Sequence, residues 1–178
     1  MQRQTTALRR RSLLGAGLAV VAGSAFSCAP GRGSSPWRSF TIAEAETVDA
    51  ISSQLIPADG DPGAKEARVV NYIDIQLSRS FRRHRAAYRQ GLAEIDRTSR
   101  GKFGKGFVEL NSDQQIEVLN WMEENSKAFF ELLLTHTRQG FYGDPRHGGN
   151  RGMASWKMVG LPFPPVRGRE HYAPGKTG

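Results

Sequence analysis

Acid–base chemistry has one clear address in this sequence. The stretch Gly140-Phe-Tyr-Gly-Asp-Pro-Arg-His-Gly-Gly-Asn150 sets Asp144 three residues before His147, among four glycines, a proline and two aromatics. A carboxylate beside an imidazole is able to pass protons to and from a substrate. The same residues also suit pure backbone geometry. Asp144 would open a turn through its own side chain, Pro145 would fix it, and Gly148-Gly149-Asn150 would allow angles that larger residues resist. Under this second reading Phe141, Tyr142, Gly143, Asp144, Pro145, His147, Gly148, Gly149 and Asn150, joined by Trp156, form a fold and docking signature with aromatic anchors.

The remaining candidates are thinner. His84, His136, His147 and His171 show neither HxxxH nor HExxH spacing, and the one cysteine excludes CxxC, so no metal site is expected. Gly31-Arg-Gly-Ser-Ser-Pro and Gly101-Lys-Phe-Gly-Lys-Gly lack the strand–turn–helix setting that cradles a pyrophosphate, so no nucleotide or flavin site is expected in this chain. No serine sits in a nucleophile elbow. Arg79, Arg82, Arg83, His84, Arg85 and Arg89 make a dense basic cluster. Arginine tracts bind phosphate backbones, yet only Phe81 and Tyr88 interleave here and both fit an apolar stripe. A solvated face or a dock for an acidic partner is the expectation, with no nucleic acid.

The first residues read as an address rather than a fold. Arg9-Arg10-Arg11 precede an apolar run from Leu13 to Phe26, 14 residues long, and no acidic residue occurs before Glu44. Such a run is shorter than the ~20 residues of a spanning helix. A basic start, a short apolar run and small residues near Ala25-Phe26-Ser27 form an export signal. The pair Arg10-Arg11 favours the twin-arginine (Tat) route and a periplasmic destination. Cys28 stands where the signal ends, open to lipid modification or left as an inert thiol. Removing residues 1–27 lowers the formal net charge from +8 to +4, so half of the basic excess belongs to the leader.

Behind the leader the pattern is helical throughout. Thr41-Ile-Ala-Glu44 has capping-box spacing, Val48, Ile51 and Leu55 follow on one face, and Pro57 ends the run. Val70, Ile73, Leu77 and Phe81, then Tyr88, Leu92 and Ile95, continue a second stripe with a break near Ser80. Ser112-Asp-Gln-Gln115 offers another capping box, and Ser126–Gln139 with Phe129, Phe130, Leu132, Leu133 and Leu134 is the most buried helix expected. Gly140 then takes the left-handed position that closes a helix, and the chain is irregular beyond it. The expected architecture is all-α: a signal segment at 1–28, a linker at 29–39, one helical bundle-like domain at 40–165 with a long Gly/Pro-rich C-terminal region, and a polar tail at 166–178.

Several segments taken together resemble a known family. They are Ile56-Pro-Ala-Asp-Gly-Asp-Pro-Gly-Ala-Lys-Glu-Ala67, Val70-Asn-Tyr-Ile-Asp74, Gln76-Leu77, Phe107-Val-Glu-Leu110, Gln114-Gln115, Phe129-Phe130, the whole of Gly140–Asn150 and Trp156-Lys-Met-Val-Gly-Leu-Pro162. In this order they are similar to the small subunit (subunit 3, or gamma chain) of gluconate 2-dehydrogenase. The resemblance implies a non-catalytic partner of a large FAD-containing dehydrogenase of the glucose–methanol–choline type. It also implies a multihaem cytochrome c in some assemblies, and electrons passing towards quinone. The small subunit would hold no redox centre and would serve maturation and export of the flavoprotein at the periplasmic face of the inner membrane. The competing readings are a stand-alone periplasmic enzyme using Asp144 and His147, and, ranked last, a basic helical nucleic-acid binder.

Overall fold

The computed structural model describes residues 35–160. Arg10, Arg11, Cys28, the first part of the linker, Pro162, His171 and the polar tail lie outside the described residues.

Helix α1 (Ile42–Leu55) begins at the expected capping box. Thr41 Oγ1 accepts the Glu44 N–H at 3.2 Å, and Glu44 Oε2 accepts the Thr41 N–H at 2.7 Å. It stops before Ile56-Pro57, because the residue ahead of a proline is pushed out of the helical region. Turns over 64–68 lead into α2 (Val69–Ser78), which buries Val70, Ile73 and Leu77. The break expected near Ser80 is present: a 3-10 turn over Arg82–His84 re-aims the chain into α3 (Arg85–Phe103). Gly104, left-handed at φ +71°, closes α3.

Helix α4 (Ser112–Asn125) starts one residue earlier in its capping logic than the sequence suggests. Asn111, not Ser112, is the cap, and Gln114 reaches back to it. Gln115 instead turns inward, donating to the Phe107 carbonyl at 3.0 Å and accepting from Gln54 at 2.7 Å. Helix α5 (Lys127–Tyr142) is central, packing against α1, α2, α3 and α4 and against the short α6 (Ala154–Met158). Phe129, Phe130 and Leu133 are buried on it, Leu132 and Leu134 partly so. Where α3 crosses α5, Gly91 faces the Phe129 ring, and a Cβ there would overlap it. Six α-helices and no strand occur among the described residues, so the fold is all-α. The region after α5 is less irregular than expected, since it folds into two 3-10 turns and α6.

Inside the bundle, His136 of α5 is 3 % exposed. Its ring stacks on Phe81 at 4.2 Å between centroids, and Nδ1 is hydrogen-bonded to the Tyr88 hydroxyl at 2.9 Å. Burial, with the nearby charges of His84 and Arg83, pushes His136 down to about 4, while burial pushes the Tyr88 phenol up. The unfolded chain, with His136 near its ordinary value of 6.5, binds a proton that the folded chain refuses. Stability is therefore intact above about pH 6.5 and drains away as pH falls towards 4, by about 3 kcal/mol in all. Urea titrations from pH 7 to pH 4 should show this slope, and His136→Phe should flatten it. An equally steep variant would assign the acid sensitivity to another group.

Candidate functional site

Helix α5 does not stop at Gly140, as the sequence suggests, but runs on to Tyr142. Gly140 is buried and faces α2, where an added Cβ would sit 3.0 Å from Tyr72 Cδ1 and 3.1 Å from Val69 Cγ1. Its role is close helix approach rather than a left-handed cap. The residue that does terminate the helix, Gly143, is extended at φ −71° and ψ 175°.

A helix ends with carbonyls that have no partner within the helix. Here residues 143–156 supply the partners. The Gly143 N–H donates to Gln139 O at 2.9 Å, and the Asn150 N–H donates to Gly140 O at 2.8 Å. Trp156 Nε1 donates to Tyr142 O at 3.0 Å, and Asn150 Nδ2 donates to Gly143 O at 2.9 Å. Asn150 Oδ1 in turn accepts the Ser155 N–H at 3.0 Å, anchoring α6. Asn150 is wholly buried and left-handed at φ +44°, a conformation that asparagine tolerates better than most residues.

The loop is also tied to α2 and the turn before it. Asn71 Nδ2 donates to Gly148 O at 2.7 Å, and the Arg151 N–H donates to Ala67 O at 3.0 Å. Gly148 adopts φ +99° against Asn71 and Ile75. Gly149 lies on the Gly140 carbonyl so closely that a Cβ would overlap its oxygen. The glycine-rich stretch is thus a knot that fastens the end of α5 to the start of α2.

Asp144 opens the Pro145–His147 turn by accepting the Arg146 N–H at 2.9 Å. Its other oxygen takes both Nε and Nη2 of Arg146, at 2.9 and 2.7 Å. The Arg146 hydrogen bonds hold the Asp144 carboxyl below the usual carboxylate range. A carboxylate so engaged is a weak base, and its hydrogen bonds go to Arg146 rather than to His147. The exposed pair contributes little to stability. Asp144→Asn with His147→Ala should therefore leave Tm unchanged within about 2 °C by thermal melting; a large drop would mean that the turn depends on those side chains.

The signature residues divide by exposure. Phe141, Gly149 and Asn150 are buried, and Trp156 is partly covered. Tyr142, at 52 % exposed, and His147 look outward. They share a shallow groove with Tyr72, Arg138, Gln139 and Gly143. Among the described residues no group of three or more His, Cys, Asp or Glu could hold a metal ion, and no helix is long and apolar enough to cross a membrane.

Sequence reasoning missed Asn71, Ala67 and Ser155 as partners of the knot, and missed the Tyr88–His136 pair. The one available signal was that Ala67 and Asn71 fall in the segments Ile56–Ala67 and Val70–Asp74, both among the segments of the family resemblance.

No curated protein and no solved structure matches the chain. The family model described as Gluconate 2-dehydrogenase subunit 3 matches residues 42–162, which takes in α1 to α6 and the whole knot and covers more than half of the 178 residues. The chain belongs to the gluconate 2-dehydrogenase subunit 3 family.

Proposed function

We propose that this chain is the non-catalytic small subunit of a periplasmic, FAD-dependent dehydrogenase of sugars or sugar acids, and that it escorts the flavoprotein through the Tat route. Family membership makes it a subunit of a gluconate 2-dehydrogenase type of assembly. The observation that carries the non-catalytic reading is the knot itself. Its buried polar groups are spent on the end of α5, and Asp144 is spent on Arg146. The exposed Tyr142, His147 and Arg138 that remain around the groove are side chains suited to holding a partner, since aromatic and arginine residues make common anchors.

The escort role follows from the chemistry of the partner. A flavoprotein folds around FAD before it crosses the membrane, so it needs a carrier that accepts folded cargo, and the Arg10-Arg11 leader is the signal for such a carrier. FAD, and haem c where a cytochrome is present, would reside in the other subunits.

Co-expression with the flavoprotein tests the reading. Arg10→Lys with Arg11→Lys, or deletion of residues 1–27, should reduce periplasmic dehydrogenase activity to the level of cells lacking this chain. The FAD-loaded flavoprotein should then accumulate in the cytoplasm. Active flavoprotein reaching the periplasm in either variant would end the escort role.

A further inference from the structure

The corner between α2 and α3 carries a charge pattern that the escort reading does not use. From Ile75 to Ala93 the chain holds five arginines and no acidic residue. Arg79, Arg82, Arg83 and Arg89 are exposed, and among the described residues none of the five forms an ion pair.

Two of the five have a local explanation. Arg85 Nε donates to Leu77 O at 2.7 Å, and Arg79 stands at the C-terminal end of α2, so both lie near the negative end of that helix. Arg82 and Arg83 have the opposite setting. They precede the first turn of the 19-residue α3, whose positive end repels cations. Positive charge gathered where the backbone disfavours it calls for an external anion.

We infer that this corner docks on an anionic phospholipid surface, contacting lipid phosphates through Arg79, Arg82, Arg83 and Arg89. This contact goes beyond the escort reading and does not rest on it. Guanidinium forks match phosphate geometry, and each basic side chain near such a surface adds to binding. An acidic protein face is the other candidate, but protein interfaces are built around an apolar or aromatic core. Among the described residues the exposed large apolar side chains are Ile42, Val108, Ile116, Tyr142, Met158 and Val159, and none lies between positions 79 and 90. A headgroup layer needs charge alone.

The entry of the chain is consistent with this orientation. Ser39, Phe40 and Glu44 line one small cleft together with Arg85 and Arg89, so the N-terminal segment joins the domain beside the corner, with the Glu44 carboxylate at its edge. Arg38 follows the apolar run ending at Phe26 by twelve residues, which an extended chain spans in roughly 40 Å. A membrane that takes up that run has the corner within reach.

Flotation of the full chain with vesicles of phosphatidylcholine, with and without phosphatidylglycerol, tests the proposal. Arg79→Gln/Arg82→Gln/Arg89→Gln should weaken binding to the phosphatidylglycerol vesicles on the order of a hundredfold and leave binding to phosphatidylcholine vesicles unchanged. Arg97→Gln/Lys105→Gln/Lys157→Gln removes equal charge elsewhere and should cost far less, which separates place from net charge. Should the first triple variant fail to fold, Arg82→Gln alone should cost about fivefold. Equal losses in the two triple variants would overturn the proposal. So would unchanged vesicle binding with loss of flavoprotein capture, which would make the corner a protein dock instead.

Discussion

Gly149→Ala should cost about 3 kcal/mol or more, the upper end of what an overpacked site loses. The added methyl would lie on the Gly140 carbonyl oxygen and 3.0 Å from Tyr72 Cβ, where backbone and helix-anchored atoms stand in its way. Relief requires the loop to lift from α5, which breaks the Asn150 N–H bond to Gly140 O and then both side-chain bonds of Asn150. The damage therefore spreads from one methyl to the attachment of α6. Gly101→Ala is the matched control: Gly101 is exposed within α3 with nothing within 4 Å of its missing Cβ. That change should stabilise by roughly 0.5–1 kcal/mol through helix propensity. Denaturant titration of both variants decides the matter, and a Gly149→Ala loss below about 1 kcal/mol would mean that the loop yields cheaply. If the knot also shapes the groove at Tyr142 and His147, flavoprotein capture should fall with it.

The same residues show what a sequence discloses and what it hides. The capping box at Thr41–Glu44 was legible because its partners lie three residues apart. The break near Ser80 was legible for the same local reason. Asn111 and Ser112 are both good caps followed three residues later by glutamine, so local rules do not set the register. The choice comes from Gln115, whose carboxamide bonds to Phe107 and Gln54 inside the bundle. Gly140 fails similarly. A glycine that ends a helix and a glycine that admits a neighbour look alike in sequence, and what separates them is α2, some seventy positions away. In the glycine-rich stretch the turn at Asp144-Pro145 was readable, but the assignment of its polar groups to the carbonyls of α5 was not. Those bonds join residues that sequence periodicity never pairs.

Asp74→Ala should be the second large effect, and it acts at the opposite end of the chain. Asp74 is 2 % exposed in the middle of α2. Its carboxylate accepts three successive backbone N–H groups, from Arg38 at 2.9 Å, Ser39 at 2.7 Å and Phe40 at 3.1 Å. Ser39 Oγ donates in addition to the Asp74 carbonyl at 3.2 Å. Hydrogen bonds to a charged group contribute ~1.5–3 kcal/mol each, but the freed segment regains water and conformational entropy. The net loss should be about 3 kcal/mol, or roughly 6–12 °C in Tm for a domain of this size. Phe40, which packs on Tyr88 with ring centroids 5.8 Å apart, would lose its tether and expose that ring. Asp74→Asn should rescue only partly, because its amide turns donors towards donors. Hydrogen exchange gives the sharper readout. Amides 38–40 should exchange far faster in Asp74→Ala while those at the centre of α5 change only in proportion to global stability. Protection of 38–40 unchanged from wild type would show that packing of Phe40, not the carboxylate, holds the segment. The clasp also holds residues 38–40 near Arg85 and Arg89, so its loss should free that segment from the arginine corner.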